Sequence, residues 1–303
     1  MADYGHDLLL GSFVTPTNKD PQRPVRLAVA SEHAGLDLVT FQDHPYQPGF
    51  HDTWTLIAYA AARTERITLA GNVLNLPLRP AATLARSVAS LDLLTGGRVA
   101  LGLGAGAFWD AIEAMGGTRL TPGQAVTALD EAIDVIRGVW DTDTPGVLRA
   151  GGEHHRVDGA KRGPSPAHPV DVWLGAYKPR MLALTGAKAD GWLPSLAYMS
   201  SHEDLAAANA RIDDAAHEAG RDPRQVRRLL NISGTVTDGA DDGFLQGPVQ
   251  QWVEQLAGLT LEQGFSGYVL MGDDERTLQV LGQEIGPELR DLVARERGTG
   301  SAR

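Results

Sequence analysis

The chain has 303 residues, 43% of them hydrophobic, and a formal net charge of -11, so it can bury a large core but lacks the basic face that a phosphate backbone requires. It contains no cysteine, which excludes disulfides, thiolate metal sites and cysteine nucleophiles and fits a reducing compartment. No apolar run reaches membrane-spanning length, and the start, Met-Ala-Asp-Tyr-Gly-His-Asp, has no basic stretch leading into an apolar one; the expected setting is cytoplasmic, with no nucleic acid, no membrane and a small molecule as partner.

Apolar runs at residues 8–14, 36–41, 67–74, 99–103, 170–174, 189–193, 229–236 and 268–271 read as strands. Amphipathic stretches near 24–35, 53–63, 80–94, 122–140, 179–188, 202–219, 248–263 and 275–294 read as the helices between them. Eight strands, each followed by a helix, predict one α/β domain over residues 1–303, a (β/α)8 TIM barrel rather than a doubly wound sheet. Chemistry then belongs at the C-terminal ends of the strands.

The second strand ends in Thr40-Phe-Gln-Asp-His-Pro45. Asp43 and His44 leave it side by side, either as a pair tuned for proton transfer or as a loop brace beside a satisfied histidine. His51 and Asp52 follow, within reach of a pocket mouth, unless Asp52 simply caps a helix. The third strand ends in Ala70-Gly-Asn-Val-Leu-Asn75, then Leu-Pro-Leu-Arg-Pro80. Gly71, Asn72 and Asn75 sit badly in a strand interior, so this stretch should either bulge or offer hydrogen bonds to a planar heterocycle.

In the next helix Leu84, Val88, Leu91 and Leu94 recur at helical spacing and predict its buried face; Gly96-Gly97 stops it. The strand Val99-Ala-Leu-Gly-Leu103 follows. Gly102, Gly104 and Gly106 lie where it ends and let the backbone approach either a ligand or a neighbouring element. Gly102-Leu-Gly-Ala-Gly-Ala107 formally fits a dinucleotide fingerprint. The acidic residue expected about twenty positions on is missing, because that region reads as helix. Between residues 141 and 169 periodicity fails and Pro, Gly and His gather, which predicts an inserted loop or hairpin. Glu153-His154-His155 within it has no third metal ligand at a compatible spacing. After the fifth strand, Gly175-Ala-Tyr-Lys-Pro-Arg180 opens a helix; Lys178 and Arg180 there are either a phosphate seat or solvated side chains. Ser195 and Ser266 lack a hydrolase elbow. Phe108, Trp109, Trp192 and Tyr198 are candidates for an apolar pocket wall or for core packing. Beyond Arg295 the tail should fray.

These residues resemble one family across nearly the whole chain: the bacterial luciferase-like oxidoreductases, (β/α)8 barrels that use reduced FMN or the deazaflavin coenzyme F420. The motifs are Phe41-Gln-Asp-His44, Leu91-Asp-Leu-Leu-Thr-Gly-Gly-Arg98, Leu101-Gly-Leu-Gly-Ala-Gly106, and Lys178-Pro-Arg with Ala189-Asp-Gly-Trp192. The resemblance implies that His44 lies near the redox face of the ring, with Asp43 setting its tautomer. It implies a cis peptide at Asn72-Val73 backing the ring, and cofactor contacts from Gly71, Asn72, Val73, Gly104, Ala105, Gly106, Gly175, Ala176, Tyr177, Lys178 and Arg180. Asp110 would orient substrate or ring.

Two departures separate this chain from the F420-dependent sugar-phosphate dehydrogenases of this family. Ala107 stands in place of their acidic glutamate, and Tyr177-Lys178 in place of paired glycines at the phosphate. The expected activity is reduction or mono-oxygenation of a small organic substrate. F420H2 is favoured over FMNH2, because Arg outnumbers Lys 23 to 4, a bias of G+C-rich genomes where F420 is frequent. An FMNH2/O2 monooxygenase, an NAD(P)-dependent dehydrogenase and a non-catalytic flavin-binding subunit are the alternatives. A homodimer is expected.

Overall fold

Strands covered on both faces, joined by helices, close into a ring. The computed structural model describes residues 3–199, 201–239 and 243–300. Its strands are β1 Leu9–Val14, β2 Leu38–Phe41, β3 Thr68–Gly71, β4 Leu74–Asn75, β5 Leu101–Gly104, the hairpin β6 Leu148–Gly151 and β7 Arg156–Ala160, then β8 Val172–Leu174, β9 Gly191–Trp192, β10 Arg227–Ile232, the short pair β11 Thr235–Val236 and β12 Gln246–Gly247, and β13 Phe265–Met271. Parallel neighbours run in the order β3-β2-β1-β13-β10-β9-β8-β5-β4. β3 and β4 are halves of one bent run, and a parallel bridge from Leu69 to Val99 joins the two ends of that order. Eight strand positions therefore close into the expected barrel.

The helices are α1 Arg23–His33, α2 Thr53–Ala61, α3 Ala81–Thr95, α4 Trp109–Ala114, α5 Pro122–Trp140, α6 Pro179–Lys188, α7 His202–Glu218, α8 Val249–Gln263, α9 Glu275–Val280 and α10 Gly286–Gly300. Thr121 caps α5 in a reciprocal capping box with Gln124, and Gly96 ends α3 in the left-handed conformation at φ 69°. Leu84, Val88 and Leu91 face the core, but Leu94 is 84% exposed. Its place on the inner side falls to Asp92, whose buried carboxylate accepts from the backbone N–H of Val99, Ala167 and His168 and so ties α3 to β5 and to the end of the insert.

The insert is the antiparallel hairpin β6–β7, as its turn residues predict. The last predicted helix instead divides. Residues Leu281–Ile285 form a π turn between α9 and α10. Pro287 has no N–H to donate into the preceding turn there, and a Cβ at Gly282 would lie 2.2 Å from the Ala34 carbonyl oxygen. The fraying expected after Arg295 is not seen up to Gly300. Arg297 is forked onto Asp3 at 2.8 Å and bonds the His6 carbonyl, which holds this end against the bottom of the barrel.

Two apolar layers stabilise the ring. A large one lies between strands and helices, and a smaller one on the barrel axis comprises Leu38, Ala70, Ala100, Trp173, Leu193, Leu229 and Val269, with Phe13 and Val73 against it. The glycines of β5 serve the neighbouring strand first. A Cβ at Gly102 would stand 2.1 Å from the Gly71 carbonyl oxygen, and one at Gly104 2.7 Å from Val73 Cγ2. Gly102→Ala is therefore expected to lower stability by about 2 kcal/mol or more, read as a fall of several degrees in a thermal melt, because backbone has to move. Gly258→Ala, in α8 with open space around it, should instead gain roughly 0.5–1 kcal/mol.

Candidate active site

Asp43 leaves the end of β2 with a side chain fully shielded from solvent. An isolated carboxylate there would be untenable, and it is not isolated. Arg79 meets it with Nε and Nη2 at 3.0 Å each, and the Asn75 N–H donates to it at 2.8 Å. Arg79 also reaches Asp52 at 3.0 Å, the residue that caps α2 by accepting from the Thr55 N–H. Burial opposes the Arg79 charge, but the bonds and charge of Asp43, then of Asp52, outweigh it and raise its pKa. One guanidinium thus fastens the loop after β2, the bend between β3 and β4, and the start of α2.

That bend contains the cis peptide Asn72-Val73, the geometry the resemblance implies. Its amide is read by a partner far along the chain. Asn72 Nδ2 donates to Asn231 Oδ1 at 2.7 Å, and Asn231 Nδ2 returns a bond to Asn72 Oδ1 at 3.1 Å and another to Ser195 Oγ at 3.0 Å. The Ser195 N–H donates to the Tyr177 hydroxyl at 2.7 Å. Burial raises the Tyr177 pKa despite that amide. The third strand end is therefore locked to the ends of β9 and β10 through buried, paired side chains.

His44 does not pair with Asp43. Its Nδ1 lies 2.7 Å from the Tyr46 hydroxyl, and the Asp43 oxygens are occupied as described, so the expected Asp43–His44 hydrogen bond is corrected to a His44–Tyr46 one. Burial lowers the His44 pKa, only partly offset by the charge of Asp43, and pushes Tyr46 up to about 12 with help from the same charge. Near neutral pH the pair is a neutral imidazole and a protonated phenol. A phenol is the better donor, so its O–H is assigned to Nδ1 and the ring proton to Nε2.

Asp43, His44, Asn72, Val73, Gly104, Ala105, Gly106, Gly175, Tyr177 and Lys178 line one cavity of about 680 Å³ at the strand C-termini. Four predicted contacts stand outside it. Asp110 is exposed on α4 and paired with Arg119. Arg180 is exposed on α6. Ala176 is buried, its carbonyl taken by Trp192 Nε1 at 2.8 Å. Gly71 lies below the floor, where a Cβ would meet Leu74 at 2.4 Å. Of the aromatic candidates, Phe108 and Tyr198 reach the cavity while Trp192 packs against Phe265 in the core. Sequence reading missed Arg79, Tyr46 and Asn231, and weighed Ser195 only as a hydrolase nucleophile. Asn231 carried a signal, a lone amide in the apolar run Leu229-Leu-Asn-Ile232.

A flat ring with polar edges fits these residues. Val73 and Leu193 give an apolar bed, Asn75 Oδ1 is a buried acceptor with no partner, and Lys178 offers a positive charge at the rim with no acid paired to it among the described residues.

A family model described as luciferase-like monooxygenase matches residues 8–243. The chain is 33% identical over 199 residues to the 5,10-methylenetetrahydromethanopterin reductase of Methanolobus tindarius, covering 66% of this chain and 57% of that one. It is 28% identical over 236 residues to an F420-dependent glucose-6-phosphate dehydrogenase of Gordonia bronchialis, covering 75% and 68%. Among solved structures, an F420-dependent secondary alcohol dehydrogenase in complex with an F420-acetone adduct superposes with a TM-score of 0.80 at 17% identity, covering 94% and 99%. The chain belongs to the luciferase-like monooxygenase family.

Removing one side of the buried clamp should cost far more than removing its exposed arm. Arg79→Met is expected to lose about 3 kcal/mol by urea titration, since it strands Asp43. Asp52→Asn, which keeps a capping side chain, should lose less than about 1 kcal/mol.

Proposed function

We propose that this chain is an F420H2-dependent oxidoreductase that reduces a small organic substrate in the cavity above the barrel axis. The observation that carries the reading is the neutral His44–Tyr46 pair beside the unpaired Asn75 Oδ1 in a mostly apolar pocket. The F420-dependent relative of Gordonia bronchialis supports the choice of cofactor.

When bound, the reduced deazaflavin supplies a hydride to the substrate carbon and is oxidised, while the substrate oxygen takes up a proton. Among the described residues nothing bonds His44 Nε2, so this N–H is the donor to that oxygen. Tyr46, which is only partly buried, donates to Nδ1 as the Nε2 proton leaves and is restored from solvent. No imidazolium has to form in an apolar site. Asn72, Val73 and Asn75 hold and orient the ring, and Lys178 draws the anionic end of the cofactor. Ala107 carries no acid, so proton delivery rests on His44.

We place the protein in the cytoplasm as a homodimer. The lack of cysteine supports the first, and Leu93 and Leu94, exposed on α3, support the second. Light scattering should return the mass of two chains.

Titration with F420H2 and with FMNH2, followed by oxygen uptake, tests the cofactor: tight F420H2 binding without oxygen consumption is expected, and FMNH2 binding with oxygen consumption overturns it. His44→Ala should lower kcat by about 10²–10⁴ with F420H2 affinity little changed; an unaltered kcat removes His44 from the reaction. Because burial lowers the His44 pKa, neutral imidazole is the majority form at pH 6.5 and above, and the titration midpoint lies below the ordinary value. The rate should change little from pH 8.5 to 7.5 and fall as acid carries His44 through that midpoint, as imidazolium cannot accept from Tyr46. A rate that climbs with acid would make imidazolium the donor and take Tyr46 out of the path.

A further inference from the structure

Two aromatic groups wall the cavity. Phe108, at the start of α4, stands edge-on to His44 at 5.3 Å and lies 5.9 Å from Tyr46. Tyr177 and Tyr198, from the segments after β8 and β9, meet edge-on at 5.7 Å. Phe108 is 56% exposed, Tyr198 76% and Met271 37%, yet all three also line the cavity. Two aromatic rings and a thioether therefore line the cavity and also reach its outside at these three positions. Single exposed apolar residues need no explanation, but three from separate strand ends converging on one cavity do.

Charge narrows the occupant further. Lys178 is the only cationic side chain lining the cavity among the described residues, and the one carboxylate, Asp43, is neutralised by Arg79. With Lys178 serving the cofactor, an anionic substrate finds no partner and a cationic one no unpaired acid. Desolvating either kind of charge here is unfavourable.

We propose that the substrate is an uncharged, elongated apolar carbonyl compound whose oxygen accepts from His44 Nε2–H and whose chain leaves the barrel between Phe108 and Tyr198. The proposal rests on the F420H2 reading above. The substrate carbon gains the hydride whose loss oxidises the reduced deazaflavin, and the oxygen gains the His44 proton, giving the alcohol. Each methylene of the chain is buried between the two walls.

The test uses the full-length protein with F420H2 and the methyl ketones from acetone to 2-undecanone, beside a keto acid of matching length. Turnover is followed by the appearance of oxidised F420, and the affinity of each ketone is measured by calorimetry with and without oxidised F420. Burial of one methylene corresponds to about fourfold in affinity, so Kd should fall and kcat/KM rise by about that factor per carbon over the walled stretch, with the keto acid poorer by roughly tenfold or more. Phe108→Ala and Tyr198→Ala, both at exposed positions where truncation spares the fold, should flatten the gain to less than about twofold per carbon while F420H2 affinity stays level. Rapid F420H2 oxidation with no dependence on chain length, or with the keto acid preferred, overturns the substrate class and leaves the cofactor reading standing. The chain-length gain in affinity without any F420H2 oxidation overturns the cofactor reading and keeps the class. Binding of no member of the series overturns the class outright.

Discussion

The site depends on how one strand is bent. Residues 68–71 pair with β2, and after the turn at Asn72-Val73 residues 74–75 pair with β5. Leu69 already bridges Val99, so a regular strand would pair residue 73 with 103; the turn shifts that register by one, to Leu74 with Leu103, and leaves Val73 to face the cavity. What fixes the turn is a charge that cannot be left alone: Asp43, fully buried, takes the Asn75 N–H and the Arg79 fork together. Asp43 therefore acts on geometry rather than on the His44 proton. The tight approach of β5 follows from the same turn, since Gly71 and Val73 occupy the space that a side chain at 102 or 104 would need.

The cavity is kept poor in net charge, and this decides what its titratable groups can do. A mobile proton in an apolar pocket is best carried by groups that stay neutral before and after transfer. His44 satisfies that when Tyr46 gives Nδ1 a proton as solvent returns one to Tyr46, because burial keeps the imidazole neutral near pH 7 and disfavours a lasting Tyr46 phenolate. The arrangement resembles in principle other sites where neutral imidazole, rather than imidazolium, faces a substrate oxygen. It also explains why an acid within hydrogen-bonding reach of His44 would be counterproductive: it would favour the charged ring.

Much of the barrel was legible because it is local. The apolar run at 99–103, the Gly96-Gly97 stop and the breakdown of periodicity at 141–169 each state their structure within a few residues. Neighbouring motifs, Asp43-His44, Asn72-Val73 and Gly175 to Lys178, were brought together by knowing only that strand ends share one face. The failures are of a different kind. Asp43 was given to His44 because they adjoin in sequence, whereas its partner Arg79 is 36 positions away. Asn72 and Asn231 are separated by 159 positions, and no spacing rule joins them. Asp110 and Arg180 were drawn in by motif position, but the helices that carry them turn those side chains outward. Leu94 kept the helical period yet fell past the edge of the covered stripe, where Gly96 ends the helix.

The two halves of the site are built from different material. The side proposed for the ring rests on strand ends locked by buried pairs, the Asp43–Arg79 clamp and the Asn72–Asn231 amides. The side proposed for the substrate is formed by Phe108 at a helix start and Tyr198 in a short turn, both largely exposed and neither hydrogen-bonded through its ring to any of the described residues. Residues of the first kind cannot change without disturbing closure of the ring, whereas those of the second can change at little cost to stability. A family resemblance is therefore expected to transmit the cofactor half more faithfully than the substrate half. This is why the motifs in the sequence speak of a redox ring, and why the substrate had to be inferred from exposure and charge at the mouth instead.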